Sequence, residues 1–167
     1  GELMAWESME RDGYEADKIR LFVMNLKTGE KKEYTKDFDQ NVGGLSWADD
    51  NTIYFISDYH ATDEIYKLTL NDGKITKITE GVHNYQSVTP VNDYLIATKV
   101  SMSKPAEIYK VDLTNGKDTE LSFVNKGILD QLTMGKVESR WIKTTDNKDM
   151  LTWIISPPHF DPNKKYP

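Results

Sequence analysis

Hydrophobic and polar residues alternate along most of residues 1–122, in short runs that Gly, Asn and Asp residues separate. Alternation with a period of two is typical of a β-strand with one buried face, and the separating residues are typical of tight turns. In residues 65–79, for example, Tyr66, Leu68 and Leu70 fall on one face of the predicted strand and Ile65 falls on the other. The pattern therefore predicts an all-β fold.

The alternating pattern recurs in segments of similar sequence. The copies are residues 19–35, 65–79 and 108–122. Each copy contains a turn glycine, and these glycines, which lie 44 and 43 residues apart, are Gly29, Gly73 and Gly116. A period of about 40 to 50 residues is typical of the blades of a β-propeller.

Each copy is predicted to form an antiparallel hairpin, because the turns place glycine where a positive φ angle is needed. These turns are residues 27–30, 71–74 and 114–117. Further strands are predicted before the hairpins, at residues 3–8, 44–47, 53–57, 86–89 and 95–100. Four strands per unit follow, and the first unit lacks its innermost strand.

These units predict a partial β-propeller of four-stranded antiparallel blades, about three blades with the first one incomplete. The spacing, the turn type and the strand register that the copies share favour this fold. An ordinary meander sheet, or a sandwich built from similar hairpins, is the alternative.

The pattern changes after residue 122. Residues 125–132 are predicted to form a short helical turn, and residues 137–144 and 150–156 are predicted to form a hairpin. The prolines that follow, within residues 157–162, stop any strand or helix. We therefore expect blades over 1–122, a connector over 123–136, and over 137–167 a hairpin with a proline-rich segment.

The composition excludes several classes of function. The chain has 21 basic and 27 acidic residues, a net charge of −6, and both signs are interleaved, which argues against a nucleic-acid partner. No run approaches the roughly 18 apolar residues of a membrane span. Cysteine is absent, so disulfides, thiolate nucleophiles and cysteine zinc sites are excluded. Both ends of the chain are expected to be boundaries within a longer protein.

Motifs with catalytic chemistry are missing from these 167 residues. There is no Gly-x-Ser-x-Gly nucleophile elbow, HExxH pair, phosphate-binding glycine loop or EF-hand loop. His60 and His83 lie in separate predicted loops, where single histidines are usually solvated, and His159 is expected to lie in a packed connecting segment beside Phe160. We therefore assign no catalytic, cofactor-binding or metal-binding residue and expect no cofactor.

Two other groups of residues are candidates for a site. The carboxylates Glu7, Glu10, Glu15 and Asp17 surround Arg11 in a predicted loop, which could reach an adjoining site. A solvated loop held by local ion pairs is the interpretation that we favour. The aromatic residues are expected to pack between sheets rather than to bind a ligand. They are Tyr14, Tyr59, Tyr66, Tyr85, Tyr109, Trp6, Trp47, Trp141 and Trp153.

The C-terminal part of the sequence resembles a known junction. Residues 136–146 (KVESRWIKTTD), 151–158 (LTWIISPP) and 160–167 (FDPNKKYP) are similar to the start of the hydrolase domain in prolyl oligopeptidase family serine peptidases. The acylaminoacyl-peptidase and dipeptidyl-peptidase branch is the most similar. Asn147 stands where the family usually has glycine, and asparagine tolerates the positive φ of such a turn.

The resemblance implies the propeller part of a serine exopeptidase or oligopeptidase that cleaves short peptides. In this family the propeller caps the catalytic face and limits access to it. The resemblance also implies that a hydrolase domain follows, that the catalytic serine, aspartate and histidine lie beyond residue 167, and that a periplasmic or secreted location is favoured. No catalytic or substrate residue can be carried over to this chain.

Two other functions remain open at this point. One is a free-standing β-propeller that binds proteins without catalysis. The other is an independent hydrolase, which is disfavoured because no acid and base can be placed at a shared site. Because an incomplete ring of blades leaves apolar sheet faces uncovered, the isolated chain is expected to self-associate.

Overall fold

The computed structural model describes residues 1–166 and consists almost entirely of antiparallel β-sheet. Pro167, the last residue of the family-like Lys-Tyr-Pro sequence, lies outside the described residues. The strands are β1 (Leu3–Ser8), β2 (Arg20–Asn25), β3 (Lys31–Glu33), β4 (Gly43–Asp49), β5 (Thr52–Tyr59), β6 (Thr62–Thr69), β7 (Lys74–Lys77), β8 (Asn84–Val91), β9 (Tyr94–Ser101), β10 (Lys104–Asp112), β11 (Asp118–Glu120), β12 (Val137–Lys143) and β13 (Asp149–Ile155).

Strands β1 to β11 form the units that the repeat predicts. Strands β1, β2 and β3 make a three-stranded sheet, the first unit. Strands β4 to β7 make the second unit and β8 to β11 make the third, each with neighbouring strands paired in chain order. A single parallel bridge between Asp63 and Asn84 joins the second and third units. The strand count per unit is the one predicted, including the missing innermost strand of the first unit.

The buried side chains show that the units stack face to face. Phe55 belongs to a core cluster with Leu21 of the first unit. Its neighbour Tyr54 belongs to a second cluster with Tyr85 and Leu95 of the third unit. Because adjacent residues of a strand point to opposite faces, the second unit is covered on both faces by different units. This is the packing of propeller blades, and it is not that of one continuous layer.

The hairpin turns form as predicted. Gly29, Gly73 and Gly116 have φ angles of +74°, +69° and +70°. The amide of each glycine donates a hydrogen bond of 2.8–2.9 Å to the carbonyl oxygen four residues earlier. Glycine adopts this left-handed conformation without the steric cost that a Cβ atom carries.

The structure moves the start of the first repeat copy from Ile19 to Leu21. The amide of Leu21 donates to the Thr35 hydroxyl at 2.8 Å, over a separation of 14 residues. Ile65 donates in the same way to Thr79 at 2.9 Å, and Ile108 to Ser122 at 2.8 Å. Ile19 and Leu21 are two residues apart and fall on the same face of a strand, so the alternating pattern alone does not distinguish between them.

The helical turn and the last hairpin also form where they were predicted. Helix α1 spans Lys126–Leu129, and β12 and β13 pair along their whole lengths. Asn147 has a φ of +61°, so it takes the left-handed turn conformation expected of it. Within residues 1–166, no helix is long and apolar enough to cross a membrane.

Candidate functional site

One end of the stacked units gathers the connections that lead out of them. Successive strands of a unit run in opposite directions. The loop between the second and third strands therefore lies at the same end of the unit as the connection that follows the fourth strand. We call this the connection end. Its segments are residues 9–19, 34–42, 60–61, 78–83, 102–103 and 121–125. The candidate loop around Arg11 and two of the three histidines, His60 and His83, therefore lie at one end of the molecule.

The β12–β13 hairpin contacts this end at an aromatic cluster. The rings of Tyr59 and His60 lie 4.0 Å apart, and the ring of Trp141 meets His60 edge-on with centroids 5.3 Å apart. The Lys77 ammonium lies 4.3 Å from the centre of the Tyr59 ring. An open cleft of about 280 Å³ separates the hairpin from the second unit and is lined by these residues and by Glu80 and Trp153, among others.

The aromatic residues divide into two groups. Tyr66, Tyr85 and Tyr109 are buried between sheets, as predicted. The prediction is wrong for Tyr59 and Trp141, which are 37% and 56% exposed and face the cleft. The other aromatic residues for which it is wrong are Tyr14 and Trp47, which are exposed. Trp6 stacks on Phe22, its cross-strand neighbour, and Trp153 is partly buried in the hairpin.

His83 is not solvated, contrary to the sequence prediction. Its Nε2 atom lies 3.2 Å from the Glu64 carboxylate, which is fully buried. Glu64 also accepts hydrogen bonds from the Thr79 hydroxyl at 2.7 Å and from the Gly81 amide at 3.0 Å. Burial raises the pKa of Glu64, but these bonds to its charged form lower the pKa more, so the group is ionised at neutral pH.

The remaining histidine is at the surface. His159 is exposed, so the prediction that it packs is wrong, and the neighbouring Phe160 stacks on Tyr166 instead. In the part of the chain that the structure describes, no group of three His, Asp or Glu side chains is placed to hold a metal ion.

A second polar cluster joins the strands of the third unit. The Tyr85 hydroxyl donates to Asp118 at 2.6 Å, and the Lys99 ammonium pairs with the same carboxylate. Lys99 also lies 4.0 Å from the centre of the Tyr109 ring. Burial raises the pKa of Tyr85 far above its usual range. Burial also raises the pKa of Asp118, but the hydrogen bonds from Lys99 and Tyr85 lower it more, so the pKa of Asp118 is below its usual value. Because the charges are already paired with one another, the cluster crosslinks the sheet.

The acidic loop is held by one ion pair. Arg11 donates to Asp17 from its backbone amide at 2.9 Å and from its Nε atom at 3.0 Å, and its guanidinium lies over the Tyr14 ring at 3.7 Å. These contacts support the interpretation of a locally ordered, solvated loop.

Sequence reasoning missed the two buried glutamates of the second and third units, Glu64 and Glu107. They are 0% and 2% exposed. A signal was present, because each begins the same sequence, Glu-Ile-Tyr-Lys, in its copy of the repeat. The copies at residues 65–79 and 108–122 begin at the isoleucine, so the glutamate before each copy is not included in the repeat.

Comparison with known proteins supports the resemblance seen in the sequence. No protein-family model matches the chain. Dipeptidyl-peptidase 5 of Porphyromonas gingivalis is 45% identical over 168 residues, which cover 100% of this chain and 25% of that protein. Dipeptidyl-peptidase 5 of Porphyromonas endodontalis is 42% identical over the whole chain and 24% of that protein. The chain thus spans about a quarter of the length of these relatives.

Solved structures agree with the fold. An acylaminoacyl peptidase in complex with a chloromethyl ketone superposes with a TM-score of 0.80 at 22% identity, over 100% of this chain and 25% of that one. The β-propeller domain of the Trilobed protease from Pyrococcus furiosus gives a TM-score of 0.60 at 20% identity, over 75% of this chain and 38% of that one. The resemblance of the chain to the dipeptidyl- and acylaminoacyl-peptidase branch of the prolyl oligopeptidase family is therefore confirmed, and the chain is similar to part of the β-propeller domain of these peptidases.

Proposed function

We propose that this chain is the access-controlling segment of a serine peptidase that cleaves short peptides. The observation that carries the proposal is the 45% identity to a dipeptidyl-peptidase along the entire chain. The structure supports a physical role, because stacked sheets with apolar cores between them form a rigid wall. Such a wall excludes folded proteins sterically and admits short or extended peptides to a site behind it.

The connection end is the part of the segment that would face the catalytic domain. It carries the Arg11 loop and the aromatic cluster of Tyr59, His60 and Trp141, and the chain leaves it toward the β12–β13 hairpin. On this proposal residues 137–167 begin the hydrolase domain, residues 123–136 connect the domains, and residues 1–122 are blades. Short peptides would pass these loops before they reach the catalytic residues of the complete protein.

The proposal predicts where activity resides. The complete parent chain should release dipeptides or acylated amino acids from short chromogenic peptides, and a serine-directed inhibitor should abolish this hydrolysis. The segment of residues 1–167, assayed at the same concentration, should give no turnover because it contains no nucleophile elbow.

The same assay separates the alternatives. Hydrolysis by the segment that survives repurification would contradict the proposal and would support an independent hydrolase. A complete parent chain that binds a folded protein tightly but hydrolyses no peptide would support the free-standing binding module.

A further inference from the structure

Two buried glutamates occupy equivalent places in the second and third units. Glu64 and Glu107 each precede the isoleucine whose amide bonds the repeat hydroxyl. Each carboxylate accepts a hydrogen bond from the hydroxyl group 15 residues later, which is Thr79 for Glu64 and Ser122 for Glu107. Each carboxylate also accepts a hydrogen bond from a backbone amide two or three residues after that hydroxyl group. The donor is Gly81 for Glu64, at 3.0 Å, and Asn125 for Glu107, at 2.9 Å. We call this arrangement the glutamate clasp.

The two clasps hold different segments. Glu64 holds the start of the connection that leads to the innermost strand of the next unit. Glu107 holds Ser122 and Asn125, and the chain beyond them enters α1 and then the β12–β13 hairpin. The clasp of Glu107, in the third unit, is therefore at the point where the chain leaves the stacked units.

Asn125 couples the clasp of Glu107 to the connector. Its side-chain amide donates a second bond to the Glu107 carboxylate at 3.1 Å. Its backbone carbonyl oxygen accepts hydrogen bonds from the amides of Ile128 at 3.2 Å and Leu129 at 3.0 Å. These bonds form the first turn of α1. Glu107 thus fixes the residue from which the helical turn starts.

In the first unit, a residue at a different position holds the outgoing chain. Arg20 takes the place of the glutamate there, and the nearby Lys18 ammonium donates to three backbone carbonyls of the outgoing segment. These carbonyls belong to Thr35, Lys36 and Phe38, at 3.0, 3.1 and 2.8 Å. A charged side chain thus anchors the outgoing chain in every unit, with a cation to carbonyls in the first and an anion to amides in the other two.

We propose that Glu107 is a positioning residue of the peptidase, which fixes the connector at its departure from the propeller and thereby sets the placement of the hairpin and the domain after it. The proposal rests on the proposed function. Its physical basis is that catalysis depends on how the parts of a site are placed, and a displacement of about 1 Å can cost as much as about a hundredfold in rate. A loose connector would let the two domains sample many relative placements.

Glu64 provides a matched control for Glu107. Both are buried carboxylates that accept a hydrogen bond from a hydroxyl group and one from a backbone amide of the outgoing chain, so Glu64→Gln and Glu107→Gln change comparable bonds, and Glu64→Gln in addition changes the contact with His83. Only Glu107→Gln loosens the segment that leads to the hairpin. Asn125→Ala is a second test variant, because it removes the coupling bond while it leaves the carboxylate and its sheet intact.

The experiment uses the complete parent chain with each of these substitutions. Amide hydrogen exchange in residues 122–130 should rise about tenfold to a hundredfold in Glu107→Gln, since a lost bond to a buried charge opens the local structure. The same rise should occur at residues 79–83 in Glu64→Gln. For short peptides, kcat should fall about tenfold in Glu107→Gln and less in Asn125→Ala, while the fraction of folded protein stays constant.

Two results would overturn the proposal. One is unchanged exchange in residues 122–130 of both Glu107→Gln and Asn125→Ala. The other is an equal loss of kcat in Glu64→Gln and Glu107→Gln, because a purely structural role predicts the same loss for both. An inactive wild-type chain would instead overturn the proposed function and the kinetic half of this inference, and the exchange data would still decide whether Glu107 holds the connector.

Discussion

At the scale of single residues, the buried carboxylates need several donors to remain charged. The hydroxyl of Ser122 and the backbone amide of Asn125 lower the pKa of Glu107 from 4.5 to about 2. Without such donors, burial would favour the neutral acid. The clasp therefore depends on pH, and the direction of the dependence follows from the sign of the shift.

Because the pKa of Glu107 is lower in the folded state, its ionised form stabilises the fold. This contribution should be complete above the unfolded pKa near 4.5 and should disappear as the pH falls toward about 2. We therefore expect the difference in urea midpoint between wild type and Glu107→Gln to be largest near neutral pH and to shrink between those pH values.

Comparing the two proteins removes the contribution of other carboxylates with lowered pKa, such as Asp118 and Glu138. A difference in midpoint that stays constant from neutral pH to acid would contradict the role assigned to the Glu107 carboxylate.

At the scale of elements, the three glycine turns have the same backbone but different surroundings. Nothing lies within 4 Å of the position that a Cβ atom would take on Gly29 or Gly73. A Cβ atom on Gly116 would overlap the carbonyl oxygen of Ile78, at the end of the preceding unit. The turn of the third unit is thus also a packing contact between units.

Alanine at these positions should separate backbone strain from steric overlap. Gly73→Ala should cost about 1 kcal/mol of unfolding free energy, because only the left-handed conformation is penalised. Gly116→Ala should cost about 2 to 4 kcal/mol, since overlap with the Ile78 carbonyl adds to the same penalty. Urea unfolding of the two variants measures the difference, and equal losses would show that the contact with Ile78 does not constrain the third unit.

At the scale of the whole molecule, apolar side chains remain on the outer faces of the stack. Ile108 on β10, Leu121 after β11 and Met4 on β1 are exposed, and Val124 of the connector is 85% exposed. Exposed apolar side chains on a sheet face are typical of an interface, because burying them releases water.

The isolated segment of residues 1–167 should therefore self-associate. Light scattering at micromolar concentration should give a mass above that of the 19.2 kDa monomer. Ile108→Lys should shift the mass toward the monomer, because it places a charge on the outer face of the third unit. Asn71→Lys, which adds the same charge in a distant turn, is the control and should leave the mass unchanged. A wild-type segment that remains monomeric would contradict the prediction.

Local patterns in the sequence were enough to predict most of the fold. The strands, the glycine turns and the turn at Asn147 depend on period-two alternation and on the few residues that tolerate positive φ. Both signals act between neighbours in the chain, so they can be read without knowledge of the tertiary structure. The start of the first copy at Leu21 was missed, because Ile19 satisfies the same alternation.

The sequence by itself determined the repeat, the blade-like units and the family of the junction. Only the tertiary structure decided which polar residues are buried, among them Glu64, Glu107 and the partly buried His83. It also decided that Tyr59 and Trp141 line a cleft at the hairpin. The physical reason is distance along the chain. The alternation of polar and apolar residues indicates the buried face of one strand at a time. Burial of a charged side chain depends instead on hydrogen-bond donors 15 or more residues away. These donors come close only when the outgoing chain folds back over its own unit.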